Sequence, residues 1–226
     1  MEYVGEDNLS VMDNAKNYNA FIVSQIAARL RPQDDAVLDF GAGNGLLARM
    51  VERKTGKKVV CLEPAENMKK YLSGKVLDSL DEAADGSFDF IYSSNVLEHI
   101  EDDAAVVGSM VRALKPDGRL FLYLPAFDYL YSAMDRKVGH FRRYDKKKLK
   151  ALFDPAKWEI EDLRYADGLG FLAALLFKAV GSKSGDVSPA SLFIYDRFVF
   201  PFSRLFDKLT GGKLFGKNVL LCAKRK

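Results

Sequence analysis

Fifteen residues, Ala36 to Met50 (AVLDFGAGNGLLARM), constrain this chain more than any other stretch. Ala36, Val37, Leu38 and Phe40 form a short apolar run suited to a buried strand, with Asp39 near its carboxyl end. Gly41, Gly43 and Gly45 follow and let the backbone turn sharply where a Cβ would clash. Leu46, Leu47, Met50 and Val51 then recur at helical spacing. A second apolar run, Lys58 to Leu62, ends in Glu63 and Pro64, which predicts the next parallel strand with an acid at its tip. In doubly wound sheets ligands sit in the crevice at the carboxyl ends of the strands, where an acid on the second strand accepts hydrogen bonds from ribose hydroxyls. Strand, glycine turn and acid together predict a nucleotide-type pocket.

The chain continues in alternation. A helix over Asn14 to Arg31, with Phe21, Ile22, Ile26 and Leu30 on one face, leads into strand (36–40), helix (44–54), strand (58–63), helix (65–72), a short strand near Val76, strand (88–93), helix (101–114) and strand (118–125). Such a pattern specifies a parallel sheet with helices on both faces. A helix at Lys146 to Phe153 and strands at Trp158 to Tyr165 and Asn218 to Lys224 are expected beyond it. The fold class is therefore α/β, a Rossmann-like doubly wound sheet. At 226 residues the chain suffices for a single domain with an elaborated part.

The dinucleotide fingerprint G-x-G-x-x-G/A needs a small third residue and offers a helix N-terminus to a pyrophosphate. Leu46 stands at that third position, which counts against a nicotinamide oxidoreductase, the rival enzyme class. The pattern present, D-x-G-x-G-x-G, resembles motif I of class I methyltransferases dependent on S-adenosylmethionine (SAM), and Phe88 to His99 (FDFIYSSNVLEH) and Leu114 to Ala126 (LKPDGRLFLYLPA) resemble that family's motifs at strands four and five. The resemblance implies a seven-stranded sheet with an antiparallel last strand. It also implies an N-terminal lid helix (residues 1–31), SAM as methyl donor and S-adenosylhomocysteine as product.

Site residues follow from the same resemblance. Asp39 and the backbone of Gly41, Ala42, Gly43 and Gly45 hold the methionine end of SAM, and Glu63, followed by Pro64, binds the ribose hydroxyls. Met68 packs on the adenine, unless it is simple core, and Asp78 faces the adenine amino group with Ser79 and Leu80 beside it. Ser94 and Asn95 stand at the methionine end, Asn95 having a helix cap as its alternative role, and the Tyr18 hydroxyl of the lid reaches the ligand's carboxylate.

The histidines are His99 and His140, so any imidazole general base is one of these two. His99 lies in an LEH turn, where helix packing is the plainer role. His140 is the second residue of GHFRRY (Gly139 to Tyr144), which resembles a bacterial methyltransferase subgroup with a G-H-x-R-R-Y segment, as does the final GKNVLLCAK. His140, Arg142, Arg143 and Tyr144 are the catalytic candidates: a base and an anion-binding fork at the pocket mouth, suited to an oxyanion, phosphate or uronate acceptor. The alternative is an internally satisfied loop in which the arginines pair with Asp135 or Asp145.

Two segments exceed what the core fold needs, residues 127–144 and 167–217, and are expected to cap the acceptor. The second is apolar and aromatic, which suits a groove for an amphiphile with an anionic head, a membrane surface or a homodimer contact. Its longest apolar stretch, Leu169 to Val180, falls short of the roughly 20 residues that span a bilayer. A net charge of +3, without basic residues alternating with exposed aromatics, argues against nucleic acid as a partner. Two cysteines in apolar runs, Cys61 and Cys222, indicate neither a disulfide framework nor a zinc site. Together with an acidic N-terminus, they point to a cytoplasmic setting. The transferred methyl is already activated on a sulfonium, so no metal is required in principle; the task is to align an O or N nucleophile of a small or lipid-linked acceptor and exclude water. A protein that binds SAM without catalysis is the remaining alternative.

Overall fold

The computed structural model describes residues 2–180 and 185–226, so residues 181–184 of the expected cap and Met1 of the expected lid lie outside the described residues. Seven strands form one sheet: β1 (Val37–Phe40), β2 (Val59–Leu62), β3 (Val76–Leu77), β4 (Phe88–Ser94), β5 (Leu114–Pro125), β6 (Trp158–Ala166) and β7 (Asn218–Arg225). Their order is β3-β2-β1-β4-β5-β7-β6. The first five strands run parallel, and β7 lies antiparallel to both β5 and β6. Strand order reverses between β1 and β4, which opens a crevice beyond the ends of those two strands.

The helices are α1 (Glu6–Met12), α2 (Lys16–Ala27), α3 (Leu46–Thr55), α4 (Glu66–Lys69), α5 (Asp103–Ala113), α6 (Ala133–Val138), α7 (Lys146–Ala151), α8 (Gly168–Val180), α9 (Pro189–Ile194) and α10 (Phe200–Thr210). Alternate strand residues feed two cores because successive side chains point to opposite faces. Leu38, Ile91, Leu120, Leu122 and Leu221 pack with Val107 and Met110 of α5 on one face. Val37, Phe90, Phe121 and Leu220 pack with Tyr18, Ile22 and Ile26 of α2 on the other.

Three expected elements differ in extent. The helix expected over Asn14 to Arg31 is α2 alone, and a separate α1 precedes it. The helix after Glu63 is a single turn. The β5 ladder begins at Leu114: Phe88 pairs with Leu114 and Phe90 with Arg119, and the intervening KPDG turn is a bulge with Asp117 at φ +59°.

The segment after β6 folds back over α2. A π-helical stretch, Tyr195–Val199, joins α9 to α10. Within it the buried Asp196 carboxylate accepts the backbone N–H groups of Asn17 (3.0 Å) and Tyr18 (2.9 Å), capping α2 from outside its own sequence. Leu192 and Phe200 join the α2 side of the core.

Candidate active site

Gly41, Gly43 and Gly45 adopt φ of +79°, +54° and +73°, the left-handed region that favours glycine. A Cβ on Gly41 would lie 2.4 Å from a Val96 methyl, so this glycine lets the loop close against the turn after β4. Gly41 and Ala42 both donate their backbone N–H groups to the Leu62 carbonyl (2.9 and 3.0 Å), tying the loop to the end of β2. Glu63 reaches across: its Oε2 accepts from the Gly43 N–H (2.8 Å) and its Oε1 from the Ala65 N–H (2.9 Å). Each oxygen keeps a second lone pair for a hydroxyl donor. Pro64 stays exposed at the crossing.

Asp39 is buried between Cys61 and Tyr92 of the neighbouring strands, and its Oδ2 meets no donor. Burial pushes its carboxyl up to about 7, opposed by the Tyr92 phenol and reinforced by the Glu63 charge. A cationic partner is what this carboxylate lacks.

The N-terminal segment covers the loop, through α1. Asn44 donates to Asp13 (2.6 Å), and Leu9 lies 3.3 Å from where a Gly43 Cβ would stand. The Tyr3 N–H donates to Asn67 Oδ1 (2.9 Å) while Asn67 donates back to the Tyr3 carbonyl (3.0 Å), and Glu6 accepts from Tyr71 (2.7 Å) and pairs with Lys70 (3.0 Å). Between these parts lies a depression of about 420 Å³ whose walls include Asp13, Asn44, Arg49, Met68 and Tyr71. Met68, 1% exposed, is thus both core and cleft wall. Tyr18, whose hydroxyl was expected to reach the ligand's carboxylate, is a core residue of α2. It sits 5% exposed against Tyr123 and Phe200, its hydroxyl donating to Asn218 (3.4 Å) with Asn95 close by, because its helix supplies the core of that sheet face.

At the end of β4, Asn95 takes φ +54°, donates its N–H to the Tyr123 carbonyl (2.8 Å) and its amide to Ser94 Oγ (3.2 Å). It caps no helix; the next turn, Leu97–His99, starts at Val96 without a side-chain cap. Asp78 is held by Lys69 and stands exposed, Ser79 caps the turn Leu80–Glu82, and Leu80 is core. Asp78 and Ser79 thus have local partners.

The GHFRRY segment follows the internally satisfied alternative and not the anion-binding fork. Arg143 is buried in a bidentate pair with Asp135 (2.8 and 2.9 Å), Arg142 pairs with Asp103 (2.8 Å) and donates to the Glu101 carbonyl (2.7 Å), and the buried Tyr144 hydroxyl donates to the same Asp103 (2.8 Å). No free anion-binding fork results, because each guanidinium already holds a carboxylate. His140 bonds Asp135 through Nδ1 (2.7 Å) and turns Nε2 toward Glu98 Oε1 (3.8 Å). Burial alone would raise the Asp135 carboxyl, but hydrogen bonds from His140 and Arg143 hold it well below the ordinary range.

Sequence reasoning missed Glu98 and Tyr3, and named Asp135 only as an alternative partner of the arginines. Glu98 is fully buried with neither carboxylate oxygen hydrogen-bonded, and burial pushes it up to about 8 against the opposing charge of Arg143. His99 stacks edge-to-face on His140 (4.5 Å) and on Tyr3 (5.8 Å); burial and the neighbouring imidazole lower it to about 4. A signal for Asp135 was present: Ser132 and Asp135 form a capping box at the start of α6, an S-x-x-D spacing legible in the sequence.

Glycine loop, β2 acid and a crevice at the strand-order reversal accompany a match of a methyltransferase domain family to residues 14–163. The chain belongs to that methyltransferase family. Among curated relatives, the ubiquinone biosynthesis O-methyltransferase of Xanthomonas oryzae pv. oryzae is 29% identical over 171 residues, 64% of this chain and 71% of that one. Among solved structures, geranyl diphosphate methyltransferase in complex with GPP and sinefungin superposes with a TM-score of 0.64 at 14% identity, covering 93% of this chain and 79% of that one. Phosphoethanolamine N-methyltransferase 2 of Haemonchus contortus with SAM gives 0.60 at 17%, covering 97% and 56%. At such identities the structural likeness speaks for the fold. SAM is the methyl donor of this methyltransferase. The residues present fit it: an orphaned buried carboxylate at Asp39 suits an ammonium group, and Glu63 suits vicinal hydroxyls.

Proposed function

We propose that this methyltransferase methylates an oxygen or nitrogen nucleophile of a lipid-linked, anionic acceptor, which it meets at a membrane surface. Within that reading Asp39 faces the α-ammonium of SAM, Glu63 holds the ribose, and the α1 segment keeps water from the sulfonium. An oxygen nucleophile is favoured by the O-methyltransferase name of the curated relatives.

The observation that carries the proposal is the outer face of α8, α9 and α10. Eleven of the fifteen large apolar side chains that stand exposed among the described residues lie between Leu172 and Leu214. Leu172, Leu175 and Leu176 share one face of α8, and Phe202, Leu205 and Leu209 share one face of α10. Exposed Lys178, Arg197, Arg204, Lys208 and Lys213 are interspersed, a mixture that suits an anionic bilayer. With Arg142 and Arg143 occupied internally, these cap cations are the support for an anionic acceptor. Among the described residues no helix is long and apolar enough to cross a membrane, so the contact is peripheral.

Sedimentation with vesicles of mixed phosphatidylcholine and phosphatidylglycerol tests this. The wild-type chain is expected to sediment with them, and L205K/L209K to remain in solution while binding S-adenosylhomocysteine as before. Wild-type protein that stays in solution with vesicles, or that buries this face in a dimer resolved by light scattering, overturns the proposal.

A further inference from the structure

Against the Tyr3 ring of the N-terminal segment three potential ligands converge, one of them a carboxylate with no hydrogen-bond partner. Glu98 and His99 lie on the short turn after β4, and His140 arrives from the loop after α6. One carboxylate oxygen and one ring nitrogen from each histidine fall within 4.8 Å of one another. Glu98 is wholly buried, and neither of its oxygens has a hydrogen bond. An uncompensated buried carboxylate is costly, so a native structure that keeps one calls for a missing positive group. Arg143, the nearest guanidinium by charge, already gives both arms to Asp135.

We propose that Glu98, His99 and His140 bind a divalent transition-metal cation of the zinc type. His140 is prepared for this role. Its Nδ1 is fixed on Asp135 at 2.7 Å, and Asp135 is in turn clamped by Arg143, the Ser132 N–H (2.8 Å) and the Ser132 hydroxyl (3.0 Å). This leaves Nε2 facing Glu98 Oε1 at 3.8 Å. A carboxylate behind a ligating histidine sets the tautomer and aims the ring. Two ligands on a tetrahedral zinc, at bond lengths of about 2.1 Å, stand roughly 3.4 Å apart. The Glu98–His140 separation therefore needs a shift of only a few tenths of an ångström. Two imidazoles and one carboxylate favour zinc, cobalt or iron(II) over magnesium or calcium, which prefer oxygen ligands. Three protein ligands leave a coordination position open, as catalytic zinc sites do.

The position matters because the Tyr3 ring of the N-terminal segment touches His99, and the Glu98 charge is felt at both Tyr3 and Tyr18. A cation there would offer the acceptor oxygen a coordination position and lower the pKa of a hydroxyl bound to it. The competing account is an imidazolium at His140 bridging Asp135 and Glu98, with no metal. Unlike the membrane proposal, the cation site can be tested on the protein alone.

The test strips the full chain with a chelator and titrates it with zinc chloride by calorimetry, and with cobalt chloride by visible absorption. Expected are one equivalent of each metal, ligand-field bands of low-coordinate cobalt and a zinc-dependent rise in Tm. Glu98→Gln, nearly isosteric, is expected to weaken zinc binding more than about tenfold, and His140→Ala to abolish the cobalt bands. If His140→Ala does not fold, Glu98→Gln alone decides. Wild-type protein that takes up no metal, or metal binding unchanged in Glu98→Gln, overturns the site and favours the imidazolium bridge.

Discussion

Asp39→Asn is expected to make the ligand-free protein more stable and a poorer binder of cofactor, and the stability gain is expected to depend on pH. The Asp39 carboxyl moves from an ordinary 3.8 to about 7 on folding, chiefly because burial penalises its charge. At about 1.36 kcal/mol for each tenfold change, ionising it in the folded state costs about 4 kcal/mol, an upper figure because relaxation and water entry reduce it. The sign follows from proton binding. Between pH 4 and 7 the folded chain holds a proton at Asp39 that the unfolded chain has released, so this residue's penalty grows as pH rises through that window and is complete above it. Asparagine carries no charge and escapes the penalty. Urea unfolding followed by the lone, buried Trp158 should show wild type and variant nearly equal at pH 4. At pH 8 the variant should be ahead by roughly 2–4 kcal/mol. S-adenosylhomocysteine, whose ammonium loses its charged partner, should bind about 10- to 100-fold more weakly by calorimetry. A stability difference independent of pH would refute the electrostatic argument, and unchanged affinity would refute the placement of the ammonium at Asp39.

Two further perturbations probe the scaffold. Gly41→Ala should lose about 2–4 kcal/mol in urea unfolding, because φ +79° disfavours an L residue and the new methyl would meet Val96 at 2.4 Å; a loss below about 0.5 kcal/mol would show the loop to be pliant. Asp135→Asn should cost about 3–5 kcal/mol at pH 7 by leaving Arg143 buried with half its partner. The Asp135 carboxyl is held low, so its contribution is complete above the ordinary carboxylate value and fades as pH falls below about 4. The gap between wild type and variant should therefore narrow in acid, and a gap that stays constant at pH 3 would count against the pair.

The sheet and its ligand crevice were readable in the sequence because they depend on local chemistry: apolar runs of strand length, glycines where φ must be positive, and an acid at the tip of the second strand. Glu63 lies on the glycine loop as that reading implied. What escaped depends on distant partners. GHFRRY reads either as a cationic mouth or as a loop closed on Asp135 or Asp145; folding pairs Arg143 with Asp135 and brings Asp103, 39 positions away, against Arg142, a partner that no spacing rule supplies. The fate of Tyr18 was hidden for the same reason: its burial comes from Phe200 and Tyr123, and its helix is capped by Asp196 from far along the chain. The α1 segment gave little signal because one short turn-rich helix has too few residues to display a face.

The position of β7 between β5 and β6 has a consequence for synthesis on the ribosome. Among the described residues β6 pairs with β7 alone, so β6 emerges with nothing to pair against until residues 167–217 have also been made. Throughout that interval the edge of β5 is open as well, and the apolar helix α8 appears while both edges are bare. The nascent chain therefore passes through a window of greatest adhesiveness late in translation, and the strand that ends it is the last to arrive. A pause before residue 218 would lengthen that window, whereas one before residue 158 would leave the parallel half of the sheet undisturbed.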